Sequence, residues 1–339
     1  MAEHALIVCH TGARPPEWVD EVAAGFGVRL VSLGAAGASV RSTEEAAGRL
    51  ALLRPGGYLM NHPWYGPYLS VEAADAACGG LRIVTYMGAT REARVYDTFF
   101  DVAGLRRRGV LLTSPALPSL AVAESALTLL FALELGLLPA HLEASSGGTG
   151  ADRGMAIGAR NGLLGSTLGV VGLGQIGRLV AQLAASWGMR VICWSRTRRP
   201  DLEEEMGIRH VTLPALMEEA DHVTIHTPIL TTRGLIDHDA LARARGINLV
   251  NTTSDPGVVD GHALLEALAE GRVRRVAVEG AYPEPLQERL RETGGDRVLL
   301  VPAYTSWGNT PREQERTWRH QLETYRALLE GRPLEDELR

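Results

Sequence analysis

Leu168-Gly169-Val170-Val171-Gly172-Leu173-Gly174-Gln175-Ile176-Gly177 decides the fold: an apolar run, a GxGxxG turn, then a segment of helical period. In that setting the glycines have separate tasks. Gly172 permits the tight turn, Gly174 lets backbone approach a pyrophosphate, and Gly177 lets helix and strand pack closely. The helix N-terminus, at Gln175 and Ile176, presents free amides and the positive end of its dipole to an anion. Leu179, Leu183 and Trp187 recur at helical spacing as the expected buried stripe, and Gly188 ends the helix. A second strand follows, Arg190 to Trp194. An acidic residue at its end would bind an adenosine ribose, but the chain reads Ser195-Arg196-Thr197-Arg198-Arg199. Ser195, Arg196 and Thr197 are therefore candidate cofactor residues, and NADP is expected in preference to NAD, with Arg196 or Arg198 on the 2′-phosphate. The alternative is a solvated arginine-rich turn.

Working outward, strands and helices alternate on both sides of this unit. Before it come strands Ala5 to Cys9, Val28 to Leu33, Tyr58 to Met60 and Arg82 to Tyr86. Helices are expected at Pro16 to Phe26, Thr43 to Leu52 and around Val71 to Ala77. After it come strands His222 to His226, Asn248 to Asn251, Val276 to Glu279 and Val298 to Val301. A final amphipathic helix, Arg312 to Leu329, carries Trp318, Leu322, Tyr325 and Leu329 on one face. Leu120 to Leu142 reads as a buried helix, interrupted by Glu124 and Glu134, not as a membrane span. Residues 144 to 162 lack periodicity and read as a linker or surface arm. The fold class expected is α/β: two doubly wound parallel-sheet domains, Rossmann-like and flavodoxin-like, with a cleft between them.

Composition narrows the function. The chain has 339 residues and a net charge of −6 without a basic stripe, which argues against nucleic acid as a partner. All 34 positive residues are arginine, so no lysine is present to form a Schiff base. Cys9, Cys78 and Cys193 are far apart and form no CxxC pair, which fits a reducing compartment. With no basic leader or long apolar segment at the N-terminus, a cytoplasmic location is expected. His222 and His226 have the spacing of a helical metal pair, but the β-branched residues between them argue for a strand, and no metal is expected.

Several segments together resemble the D-isomer-specific 2-hydroxyacid dehydrogenase family. They are Val122-Ala123-Glu124-Ser125-Ala126-Leu127, the fingerprint, and His226-Thr227-Pro228 followed by Thr232-Arg233-Gly234-Leu235-Ile236. Two more are Leu249 to Thr252 with Val258-Val259-Asp260, and Tyr282-Pro283-Glu284-Pro285. The resemblance implies a substrate domain of residues 1–118 plus 306–339 and a cofactor domain of residues 119–305. It implies a homodimer formed through the cofactor domain, with the helix and arm of residues 119–164 available for it. It places Thr227, Pro228, Thr252, Thr253 and Glu279 beside the cofactor, and Gly88 and Ala89 on substrate oxygens.

The departures bear on chemistry. In the family an arginine polarises the substrate carbonyl and binds its carboxylate, a histidine donates the proton, and a glutamate orients the histidine. Only the glutamate has a counterpart, Glu284. The arginine loop reads Asn251-Thr252-Thr253-Ser254-Asp255-Pro256-Gly257, about one residue longer than the family's, and no arginine lies between Arg245 and Arg272. Pro302-Ala303 stands where the family has Pro-His.

Candidates for the missing chemistry are Tyr304, beside the lost histidine, and Glu284 itself if desolvation raises its pKa. His62 joins them on a loop after a strand, and Ser254 in the emptied loop. Trp64 and Tyr65, beside His62, are candidate substrate contacts. Each has a plainer reading, as a packing aromatic, a solvent-facing histidine, a satisfied carboxylate or a rebuilt turn. These features suggest an NADP(H)-dependent oxidoreductase acting on a small molecule other than an ordinary 2-keto acid: a ketone, an imine or a conjugated alkene. Two rivals stand beside it. One holds its cofactor tightly for an internal redox step, in elimination or epimerisation. The other is a non-catalytic NAD(P)-sensing protein.

Overall fold

The computed structural model describes residues 4–9, 21, 23–25, 28–32, 57–60, 71–75, 81–86, 96–97, 100–114, 120–148, 162–228, 231–253, 255–302, 311–334 and 336–338. The chain divides into two compact units, Met1–Leu117 with Thr310–Arg339, and Pro118–Asn309.

The first unit holds β1 (His4–Cys9), β2 (Val28–Ser32), β3 (Gly57–Met60), β4 (Ile83–Tyr86) and β5 (Leu111–Thr113), with α1 (Val71–Asp75) and α2 (Val102–Arg107). All pairings are parallel and the order is β2-β1-β3-β4-β5, the flavodoxin-type order. The C-terminal helix Pro311–Leu329 supplies Trp318, Leu322, Tyr325 and Leu328 to a core shared with Ile83 and Ala23. Of the expected helix Pro16 to Phe26, residues 21 and 23–25 are described and helical. The expected helix Thr43 to Leu52 lies outside the described residues.

The second unit opens with α3 (Leu120–Leu135) and α4 (Leu137–Ser145). Its parallel strands are β6 (Thr167–Val171), β7 (Arg190–Trp194), β8 (Arg209–His210), β9 (His222–Ile225), β10 (Ile247–Asn251), β11 (Val273–Glu279) and β12 (Val298–Val301). Between them lie α5 (Gln175–Ser186), α6 (Pro200–Met206), α7 (Leu213–Glu219), α8 (His238–Leu241), α9 (Gly261–Ala269) and α10 (Leu286–Gly294). The order β12-β11-β10-β9-β6-β7-β8 is doubly wound and reverses direction between β6 and β9. Every residue of β6, β9 and β10 is buried, which is why these strands read as near-continuous apolar runs. Alternate residues feed opposite faces. Val171, Val223 and Leu249 enter one core; Leu168, Val170 and Val250 enter the other.

Two expectations need correction. Leu120 to Leu142 is two helices, because Gly136 takes φ +59 and turns the chain by 61°. Its second half is not buried: Leu135, Leu137, Leu138 and Leu142 are 43–59% exposed. No single described helix is long and apolar enough to cross a membrane. In α5 the buried face is Gly177, Val180, Ala181 and Ala184, while Leu179 and Leu183 lie half-buried at its margin. Small side chains let this helix lie close on β6, and Trp187 sits outside, its ring 4.5 Å from that of Phe131.

A buried polar cluster ties α3 to the sheet. Glu134 Oε2 accepts hydrogen bonds from Asn248 Nδ2 at 2.8 Å and Arg274 Nη2 at 2.7 Å, and Oε1 accepts from the Gly162 N–H at 2.9 Å. The Glu134 side chain is 3% exposed. Burial holds the neighbouring His222 below its usual pKa, so it stays neutral at pH 7. Removing one partner of such a buried pair strands the other charge. Glu134→Ala should therefore lower unfolding stability by about 3–5 kcal/mol in urea titrations, and a loss under about 1 kcal/mol would show that solvent reaches the cluster.

Candidate functional site

The GxGxxG segment of the second unit forms a cradle. Gly172 leaves β6 with φ +101, and a Cβ there would lie 2.5 Å from the His226 carbonyl oxygen. A Cβ on Gly177 would overlap the Gly172 carbonyl oxygen, whereas one on Gly174 would meet nothing within 4 Å. Two of the glycines are thus demanded by packing, and the third leaves open space in front of α5. The helix begins after Gly174, whose lack of a side chain leaves room for an anion at the positive end of the helix. The residues present fit a dinucleotide pyrophosphate. Gln175 and Ile176, both half-buried, carry the first helical amides.

At the end of β7 the Ser195 hydroxyl donates to the Thr197 carbonyl at 2.8 Å, and the His210 Nε2 lies 3.3 Å from the Ser195 carbonyl oxygen. Of the arginines that follow, Arg198 grips Glu203 through Nε and Nη2 at 2.9–3.1 Å, and Arg199 grips Asp201 at 3.0 Å. The Arg198 hydrogen bonds hold the Glu203 carboxyl below the usual range, and Arg199 does the same for Asp201. Arg198 and Arg199 are therefore each engaged by a carboxylate of α6. Arg196, directly after Ser195, keeps its place as a candidate for a 2′-phosphate.

The ends of β9, β10 and β11 form the other half of the site. Burial pushes the His226 imidazole down to about 3, so it is neutral, with Nε2 2.9 Å from the Thr224 hydroxyl. Thr227 and Thr232 hydroxyls lie 2.9 Å apart, and Thr232 donates to the Pro228 carbonyl at 2.8 Å. After β10, Asn251 Oδ1 accepts from the Thr253 N–H and hydroxyl at 3.1 and 2.7 Å, and Asn251 Nδ2 donates to the Asp255 carbonyl at 3.2 Å. The buried hydroxyls of Thr231 and Thr252 have no hydrogen-bond partner among the described residues. A buried hydroxyl in that state at a strand end is what a bound ligand would satisfy. Glu279, buried, ends β11.

Other candidates stand apart or fall outside the described residues. Glu284 is 60% exposed; its Oε2 accepts from the Glu288 N–H at 2.9 Å in the first turn of α10, and Arg291 lies 3.5 Å away. These contacts leave the carboxylate in solvent at the start of α10. His62, Trp64, Tyr65, Gly88, Ala89, Ser254 and Tyr304 lie outside the described residues. Beside Ser254, Asp255 rebuilds the turn by accepting the Gly257 N–H at 2.8 Å and pairs with Arg233 at 3.1 Å. Sequence reading quoted Arg233 within a motif but gave it no task. Tyr282, also unassigned, is buried and donates its hydroxyl hydrogen to the Val259 carbonyl at 3.2 Å. Among the described residues no three His, Cys, Asp or Glu side chains gather as a metal site.

Residues 128–303 match the family described as "D-isomer specific 2-hydroxyacid dehydrogenase, NAD binding domain". The chain is similar to a glyoxylate reductase of Thermococcus litoralis, 34% identical over 226 residues, covering 64% of this chain and 67% of the relative. Further glyoxylate reductases, from Korarchaeum cryptofilum, Aeropyrum pernix and Thermococcus kodakarensis, are matched over only 42–64% of their lengths. Among solved structures, the TT0316 protein of Thermus thermophilus is 27% identical with a TM-score of 0.75, over 99% of this chain and 100% of that one. An acyclic imino acid reductase solved with NADPH and D-Arg shares the fold, at 20% identity and TM-score 0.77, over 99% of this chain and 100% of that one.

Proposed function

Because the chain belongs to the D-isomer-specific 2-hydroxyacid dehydrogenase family, we propose that it is an NADPH-dependent oxidoreductase whose substrate is not an ordinary 2-keto acid. The observation that carries this reading is the loop after β10. Where the family places its arginine, the loop is closed on itself by Asn251 and Asp255, and the side chain it offers is a carboxylate. The loop has no arginine of its own to polarise the carbonyl of a 2-keto acid, since none lies between Arg245 and Arg272. Preference for NADPH rests on Ser195 in place of an acidic residue and on Arg196 beside it. Cys193 and Trp194 lead the chain directly to this position, at the edge of the pyrophosphate cradle.

In this reading the backbone of Gly174 to Ile176 holds the pyrophosphate, Ser195, Arg196 and Thr197 hold the adenosine end with Thr227 and Pro228 flanking its adenine and ribose, and Thr252, Thr253 and Glu279 line the rest of the cofactor site. The dinucleotide supplies the hydride. The chain's own residues orient it, keep water from the strand ends and recognise the substrate. Self-association of two chains belongs to the same reading, with exposed Leu137, Leu142, Leu164 and Trp187 available as an apolar face.

Titration calorimetry tests the cofactor assignment. NADPH should bind about ten- to a hundred-fold more tightly than NADH, the contribution of one charge-assisted contact. Equal or reversed affinities would refute it. Steady-state assays test the substrate assignment. Losing one preorganised cation costs about 10²–10³ in rate and losing a general acid about 10²–10⁴. Pyruvate, glyoxylate and hydroxypyruvate should therefore be turned over at near-background rates by protein that binds NADPH normally. A turnover of several per second on any of the three would overturn the assignment.

A further inference from the structure

The loop after β10 has lost its own arginine, yet a guanidinium stands in it. Arg233, on the loop after β9, reaches across so that Nε lies 3.1 Å from Asp255 Oδ2 and Nη2 lies 3.4 Å from Oδ1. The two loops are stitched together by backbone. The Gly234 N–H donates to the Gly257 carbonyl at 2.8 Å, the Ile236 N–H to Val258 at 3.0 Å, and the Asp260 N–H to Ile236 at 2.9 Å. Asp255 is fixed further by the Gly257 N–H on its Oδ1. A positive and a negative side chain are thereby held side by side at the carboxyl ends of β9 and β10. In a doubly wound sheet, ligands bind outside these ends, next to the switch between β6 and β9. The Arg233 side chain is 73% exposed and that of Asp255 11%, so the pair contributes little to stability.

We propose that Arg233 and Asp255 form a bipolar recognition pair for a 2-imino acid, Arg233 taking the carboxylate and Asp255 facing the iminium N–H. This rests on the nicotinamide-dependent reductase reading given above and names its substrate class. A guanidinium has two edges able to grip a carboxylate. Asp255 occupies the Nε–Nη2 edge, and the Nη1–Nη2 edge is left for a second carboxylate.

The same choice explains the missing proton donor. A ketone that accepts a hydride becomes an alkoxide and needs a proton from a positioned acid. A protonated imine already carries the positive charge. Its carbon gains the hydride from the reduced nicotinamide dinucleotide, which is oxidised. The C=N π pair moves to nitrogen and leaves a neutral amine, which then takes a proton from water. No side chain has to donate. Asp255 stabilises the iminium before transfer, and its charge disfavours a neutral carbonyl partnered by a carboxylate alone.

Amino acids are the products of this reaction and report the recognition without turnover. The probes are both enantiomers of alanine, phenylalanine and glutamate, each paired with its 2-hydroxy acid, titrated calorimetrically into NADP⁺-loaded protein. At least one amino acid should bind about ten-fold or more tightly than its hydroxy-acid partner, as a single charge-assisted contact provides. Arg233→Met should weaken both members of that pair about ten- to a hundred-fold, whereas Asp255→Asn should weaken only the amino acid. Asparagine keeps an acceptor for the Gly257 N–H, and both variants should bind NADP⁺ as the parent does. With NADP⁺ binding intact, three results each overturn this proposal alone: no amino acid binds, hydroxy acids bind as well, or binding ignores both substitutions. Failure of the parent protein to bind NADP⁺ overturns the reductase reading and this proposal with it.

Discussion

The second unit depends on one close approach, that of α5 to the turn leaving β6. Gly177 lies so near the Gly172 carbonyl that no side chain fits between them, and Gly172 in turn lies too near the backbone of His226, at the end of β9, for a Cβ. These two contacts bring β6, α5 and β9 together at the carboxyl edge of the sheet. They fix the helix N-terminus beside the switch point and aim its amides at open space in front of Gly174. The packing of Val180, Ala181 and Ala184 behind it follows from the same short separation. An anion site built this way is backbone throughout and leaves specificity to the strand ends on either side.

Those ends differ in how they handle charge. Beyond β7, Glu203 and Asp201 each take an arginine, and Ser195 with Arg196 stands in the sequence where an acid would select against a 2′-phosphate. Beyond β9 and β10 the balance is neutral but separated, with Arg233 and Asp255 on adjoining loops. Burial keeps His226 neutral between the two halves, so it adds no third charge. An uncharged Ser195 followed by Arg196 suits an added phosphate. A neighbouring pair of opposite charges suits a ligand carrying both signs.

What could be read from the sequence follows from how local each signal is. The fingerprint, the doubly buried strands and the final helix are contiguous patterns, so their residues were legible, and the family match covers the first two of these. The break at Gly136 was not. A glycine within an apolar helical run costs only about 1 kcal/mol against alanine and does not by itself announce a left-handed turn. The face of α5 was misread because the stripe of large residues is more conspicuous than the small ones that let a helix approach a strand. Contacts across distance were invisible. Arg233 and Asp255 are 22 residues apart, and Glu134 meets Arg274 across 140. Sequence showed that an arginine was missing from one loop, but only the structure shows another reaching into it.

A crystal structure of the protein with NADPH tests the central claim, that this cradle and its two flanks hold the dinucleotide. The account predicts the pyrophosphate on the amides of Gln175 and Ile176 and the 2′-phosphate at Arg196. The nicotinamide should lie over the ends of β9 and β10, with the Thr252 hydroxyl engaged. A dinucleotide bound elsewhere, or in this cradle with its adenosine end turned away from Arg196, would contradict it.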